Sequence, residues 1–205
     1  MKAILGGHWQ PAPAGWTEFT ERQIDITKRL PWNNDSMDAI FTEHVIEHVS
    51  FQSAIYFMRE SFRTLRQGGV FRVVAPMVEV FTNLNARPDF MAKYAKEQMS
   101  PYYKTEISEL SALSLDMEES LLPFIVDFMV RKHGHQFCWS GHLMRAVLLK
   151  IGFSDAAVSS PGRSAFDKET CLERRIRGTH ADNLERDFGP GIIFDPESGV
   201  VEARK

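Results

Sequence analysis

The stretch from Ser50 to Pro76 constrains the fold of this chain more than any other. Phe51, Ala54, Ile55, Met58, Phe62 and Leu65 recur at intervals that put them on one face of an α-helix. Ser50 stands at the N-cap, where its hydroxyl can accept from a backbone N–H that the first turn leaves unpaired. Gly68-Gly69 supplies the stop for a helix over about 51–66. The run VFRVVAP (70–76) is apolar and β-branched, and Pro76 closes it as a strand. Upstream, DAIF (38–41) is an apolar run suited to a strand buried on both faces. Strand, amphipathic helix, strand is a βαβ unit, and its crossover makes the two strands parallel.

The same alternation extends in both directions. KAILGG (2–7) reads as a short buried strand ending on two glycines. HWQPAPAGW (8–16) cannot be a helix, because Pro11 and Pro13 remove donors and bias the residues before them away from helical angles. Only about ten residues separate the first strand from Trp16–Phe19, fewer than a parallel crossover needs, so the first crossover helix is expected to be missing or replaced by a loop. SGHLMRAVLLKIGF (140–153) reads as a helix capped by Ser140, striped by Leu143, Val147 and Ile151, and ended by Gly152. DAAVSS (155–160) and GVVEARK (199–205) read as strands, and residues 77–136 as an irregular helical insertion. The expected fold is α/β, a doubly wound, mostly parallel, Rossmann-like sheet in one domain over 1–205.

Composition narrows the function classes. With 43% hydrophobic and 25% charged residues the chain is globular rather than disordered or fibrous. A net charge of −3 without a long basic run argues against a dedicated nucleic-acid binder. No stretch approaches the ~18 apolar residues of a membrane span, and the N-terminal apolar run is too short for a signal peptide. Cys138 and Cys171 form no C-x-x-C pair, and free thiols in a cytoplasmic protein are the expectation.

One octapeptide raises a sharper question. TEHVIEHV (42–49) holds two histidines and two glutamates and spells H-x-x-E-H, a zinc-peptidase pattern. As a helix it would set His44 over His48 and Glu43 over Glu47. Zinc would need both imidazoles on one helical face and a third protein ligand. The preceding residues read as a strand and Ser50 as the cap of the next helix, so the octapeptide is a strand-to-helix turn and no metal is expected. His133 and His135, in KHGHQF, have no acidic or cysteine company of the kind a metal site keeps. Arg174, Arg175 and Arg177 read as a solvated face, and Trp9 and Trp16 as packing for the proline loop.

The motifs in sequence order are Asp25-Ile26, Leu30-Pro31-Trp32, Ser36-Met37-Asp38, His44 to His48, Arg63-x-Leu65-x-x-Gly68-Gly69 and Pro76. That succession resembles the middle of class I S-adenosylmethionine-dependent methyltransferases, and more closely the short methyltransferases of the type 11 group. The tail HGHQFCWSGHLMRAVLLKIGF resembles the last helix of that family and its Gly-Phe turn. The resemblance implies S-adenosylmethionine as cofactor. It implies Gly6 and Gly7 as the remnant of the glycine-rich turn, and Asp25 with Ile26 at the adenine. Thr20 falls at the family's acidic ribose-binding position, so Glu21 is the substitute it implies. Glu43 and His44 would line the methionine end, with His44 as a general base, and His133 or His135 would stand at the acceptor mouth.

Two departures accompany it. The glycine motif is reduced to Gly6-Gly7-His8, and the first crossover helix has no room. The reading is a methyltransferase acting on an O or N of a small molecule or glycan unit, with 77–136 as a lid on the acceptor side. Its alternative is an inactive methyltransferase-like binding or assembly module. The sequence leaves room for a homo-oligomer.

Overall fold

The computed structural model describes residues 1–6, 12–79, 102–113, 121–132, 134–159, 162–172 and 198–205. Among these, the strands are β1 (Lys2–Leu5), β2 (Trp16–Phe19), β3 (Met37–Glu43), β4 (Leu65–Pro76), β5 (Asp155–Ser159) and β6 (Ser198–Arg204). They form one sheet in the order β2-β1-β3-β4-β6-β5. β1 runs parallel to β2 and β3, and β3 runs parallel to β4. β6 lies antiparallel between β4 and β5. The sheet is therefore mostly parallel, as the βαβ pattern requires.

The helices are α1 (Phe51–Thr64), α2 (Lys104–Ala112), α3 (Leu121–Asp127) and α4 (Gly141–Ile151). α3 runs on through a π-helical stretch, Phe128–Lys132, so the described parts of the insertion are largely helical. No helix among the described residues is long and apolar enough to cross a membrane. Both predicted caps are present. Ser50 Oγ accepts from Ser53 N at 3.2 Å and Ser140 Oγ from Leu143 N at 3.4 Å. Gly68-Gly69 does not stop α1, however. The helix ends at Thr64, and Leu65 is already extended at φ −66°, ψ 138°. Gly68, at φ +78°, instead turns the chain within the start of β4, donating to the Lys205 carbonyl at 2.8 Å.

Period-2 alternation divides the sheet's side chains between two apolar clusters. Ala3, Leu5, Ile40, Phe71, Val73, Val201 and Ala203 pack with Ala54, Phe57 and Met58 of α1 and Met144 and Leu148 of α4. On the opposite face Ile4, Phe41, Val74 and Val200 pack with Trp16 and with Leu172, which follows a short 3₁₀ turn at Lys168–Thr170. Trp16 is thus a core residue, as expected; Trp9 lies outside the described residues. The link from β1 to β2 is non-helical over 12–15. Cys138 and Cys171 are both free thiols.

Candidate functional site

β1 leads to β2 on one side, and the chain then crosses back to β3 on the other. Strand order therefore reverses between β1 and β3, and open α/β sheets bind ligands beyond the carboxyl ends of the strands at such a reversal. A cavity of about 350 Å³ lies there. Its wall brings together Gly6, Glu21, Asp25, Ile26 and His44, five residues that the sequence scatters over three segments, with Phe19, Ile24 and His48 beside them.

Gly6 ends β1 at φ +90°, and a Cβ there would stand 2.0 Å from Val45 Cγ2 and 3.1 Å from the Glu43 carbonyl oxygen. Glycine is required because the turn after β3 presses against the turn after β1. Gly7 lies outside the described residues. Thr20 is occupied locally, its N–H and hydroxyl both directed at Gln23 Oε1, at 2.9 and 3.1 Å. Glu21, next along, is in the cavity wall.

Asp25 is an exposed turn residue. Its Oδ1 accepts from the Thr27 hydroxyl at 2.6 Å and the Thr27 N–H at 2.9 Å, and Lys28 Nζ stands 3.1 Å from Oδ2. The Thr27 hydroxyl, then the Thr27 N–H and Lys28, hold its carboxyl down at about 2, so it is ionised at any ordinary pH. Ile24 and Ile26 flank it, each 6% exposed, and give the cavity an apolar floor.

Arg63 holds this loop in place. Its guanidinium donates to the Trp32 carbonyl at 2.9 Å, the Leu30 carbonyl at 3.1 Å and both oxygens of Glu60, at 2.9 and 2.7 Å. Glu60 Oε2 also accepts from the Leu30 N–H at 3.0 Å. Trp32 in turn sets its ring edge-on against Phe19, centroids 5.6 Å apart, at the cavity wall.

TEHVIEHV is a turn, as expected, and not a continuous helix. His44 has φ +52° and Val45 φ −130°, so only Ile46–His48 close a single 3₁₀ turn. A non-glycine residue at such an angle is held there by its surroundings. The His44 N–H donates to the Val74 carbonyl at 2.9 Å, and its Nε2 lies 2.8 Å from Ser198 Oγ. Its Nδ1 lies 3.2 Å from Glu47 Oε1, whose side chain is 1% exposed. Glu43, expected to share the cavity with His44, is buried at the end of β3 and is not in the wall, because alternation along the strand turns it away.

His135 stands edge-on to His48, ring centroids 4.8 Å apart, and is not among the residues of the cavity wall; His133 lies outside the described residues. Glu47, His48 and His135 present ligand atoms within 4.8 Å of one another. Ser198 was missed in the sequence, since a lone serine before a strand carries no signal. His48 lines the cavity and Glu47 faces His44.

The residues suit S-adenosylmethionine chemically. Glu21 and Asp25 offer acceptors for hydroxyl and amine groups, the isoleucines an apolar floor for a purine, and Gly6 leaves its side of the turn free of a side chain.

Residues 10–73 match the family model described as "Methyltransferase domain", the family that the motifs resemble. No curated protein matches. Among solved structures, an S-adenosylmethionine-dependent methyltransferase of Archaeoglobus fulgidus is 10% identical, with TM-score 0.47, over 100% of this chain and 86% of that one. A candidate methyltransferase of Bacillus halodurans is 13% identical, with TM-score 0.46, over 100% and 91%. A candidate methyltransferase of Haloferax volcanii, solved with its methyltransferase activator, is 11% identical, with TM-score 0.41, over 95% of this chain; the match spans 63% of its own length.

Proposed function

With a methyltransferase domain signature over residues 10–73, we propose that this chain binds S-adenosylmethionine at the β1/β3 switch point and transfers its methyl group to an O or N of a small molecule or glycan unit. The observation that carries the reading is the convergence of Gly6, Glu21, Asp25, Ile26 and His44 on one cavity. The cofactor, when bound, supplies an electrophilic methyl group on a sulfonium sulfur. In this reading Glu21 accepts from the ribose hydroxyls, Asp25 from the exocyclic amine, and Ile24 and Ile26 pack on the purine.

His44 is the group that would take a proton from the acceptor. Glu47 on the Nδ1 side favours the tautomer with the proton on Nδ1, which leaves the Nε2 lone pair toward Ser198 and the cavity. Methyl transfer needs chiefly alignment and a dry pocket. In this reading the insertion would supply the second. It leaves the sheet at the carboxyl end of β4, and Val78 N donates to the Trp139 carbonyl at 2.8 Å, so both its ends meet near the His44 turn. Residues 77–136 would thus cover the acceptor side.

Calorimetric titration with S-adenosylhomocysteine tests the reading. One saturable site is expected, with affinity reduced about 10- to 100-fold in Asp25→Ala. No heat at millimolar ligand would overturn it. Binding without turnover of any acceptor would favour a binding module instead.

A further inference from the structure

We propose that Glu47, His48 and His135 bind a divalent transition-metal ion of the zinc class. The argument starts from Glu47. Its side chain is 1% exposed, and among the described residues, apart from the His44 imidazole, neither carboxylate oxygen has a hydrogen-bonding group directed at it. A buried carboxylate without donors is costly unless a cation faces it. The groups that do face it are imidazoles, with Oε1 at 3.2 Å from His44 Nδ1 and 3.9 Å from His48 Nε2. His135 completes a group of two imidazoles and one carboxylate whose ligand atoms all lie within 4.8 Å of one another.

Two imidazoles and a carboxylate are a zinc donor set, and three protein ligands leave a fourth position open. Ligand atoms around a tetrahedral zinc ion stand about 3.4 Å apart, from metal–ligand bonds of about 2.1 Å. In this proposal the spread would close to that spacing by side-chain rotation, about a backbone that is already pinned. The Glu47 carbonyl accepts from Gln136 N at 2.7 Å and Phe137 N at 3.3 Å, and the His48 carbonyl from Gln136 Nε2 at 2.8 Å. These bonds hold the segment after His135 against the 3₁₀ turn that carries the other two ligands. The carboxylate has two oxygens, so one can ligate while the other keeps facing His44, an arrangement that also orients the histidine.

The H-x-x-E-H pattern therefore points to a metal by a different route from the peptidase one. His44, at its positive φ, turns to Ser198 and leaves the ligand set, and His135, remote in sequence, enters it.

The test titrates chelator-treated full-length protein with zinc by calorimetry, and with cobalt(II) by visible absorption, in the absence of any methyl donor. One equivalent per chain is expected, with the intense absorption of low-coordinate cobalt. Affinity should fall at least about 10-fold in both His135→Ala and Glu47→Gln, and stay unchanged in His142→Ala, an exposed histidine outside the cluster. Should Glu47→Gln fail to fold, His48→Ala and His135→Ala carry the comparison. No saturable binding would overturn the proposal and leave the imidazoles as the carboxylate's only partners among the described residues. Equal affinity in His135→Ala, or loss in His142→Ala, would overturn it in favour of adventitious surface binding. Because no step uses the methyl donor, the outcome is independent of whether S-adenosylhomocysteine binds.

Discussion

Gly6 and Val45 approach so closely that a Cβ on Gly6 would overlap Val45 Cγ2 at 2.0 Å. This contact joins the turn after β1 to the turn that carries His44, so the two walls of the cavity are fixed relative to each other. Gly6→Ala adds the clash to the strain of a side chain at φ +90°. The expected cost is about 2–5 kcal/mol, read by urea unfolding. S-adenosylhomocysteine binding should be lost even where the variant folds. An unchanged denaturation midpoint would show that the turn can relax away from Val45.

Arg63 joins two sequence motifs that are separate in the chain. Truncating it to Ala removes donors from the Leu30 and Trp32 carbonyls and leaves Glu60 without its cation. The expected loss is about 2–4 kcal/mol. Arg63→Lys should recover under half of it, since one ammonium cannot reproduce the fork that reaches both carbonyls and the carboxylate. Equal stability of the Lys variant and the parent would refute the fork's importance.

Those two motifs also show what was legible beforehand. Leu30-Pro31-Trp32 and Arg63-x-Leu65 could be seen as family signatures, but only the folded chain shows that one clamps the other. The strands and capped helices were readable because period-2 and period-3.6 patterns are local, and Ser50 and Ser140 act within one turn. Gly68-Gly69 was assigned to the wrong job because a glycine pair after a helix looks the same whether it caps the helix or turns the next strand. Glu43 was assigned to the methionine end by the resemblance, and in the fold it is buried at the end of β3, outside the cavity wall. His44–Ser198 and Glu47–His135 depend on contacts between remote segments, and no single-sequence pattern carries those.

Acid should expose the Glu60 clamp. The Arg63 hydrogen bonds, then the Leu30 N–H, hold the Glu60 carboxyl below its ordinary value. A group depressed in the folded state contributes stability above its unfolded pKa, near 4.5, and loses it as pH falls through the folded value. The melting temperature should therefore drop on acidification below about pH 4.5, with a shallower drop in Glu60→Gln, which is less stable than the parent at neutral pH. Parallel curves for the two proteins would remove Glu60 from the acid response.

Arg72 and Glu202 sit opposite each other on β4 and β6, both 0% exposed, with Nη1 and Oε1 2.5 Å apart. The pair does not stand alone. Glu202 also accepts from Ser164 Oγ at 2.6 Å and Ala165 N at 2.7 Å, and Arg72 donates to the Arg163 carbonyl at 3.0 Å. Arg72→Met leaves an uncompensated buried carboxylate and should cost about 3–5 kcal/mol. An isolated buried pair replaced on both sides by apolar residues can regain that loss. Here Arg72→Met with Glu202→Leu should regain only part of it, because the Ser164 hydroxyl, the Ala165 N–H and the Arg163 carbonyl would then lack their partners. Urea unfolding of the two single variants and the double variant measures the coupling. A double variant as stable as the parent would mean that the 163–165 segment finds other partners and that the pair anchors nothing beyond itself.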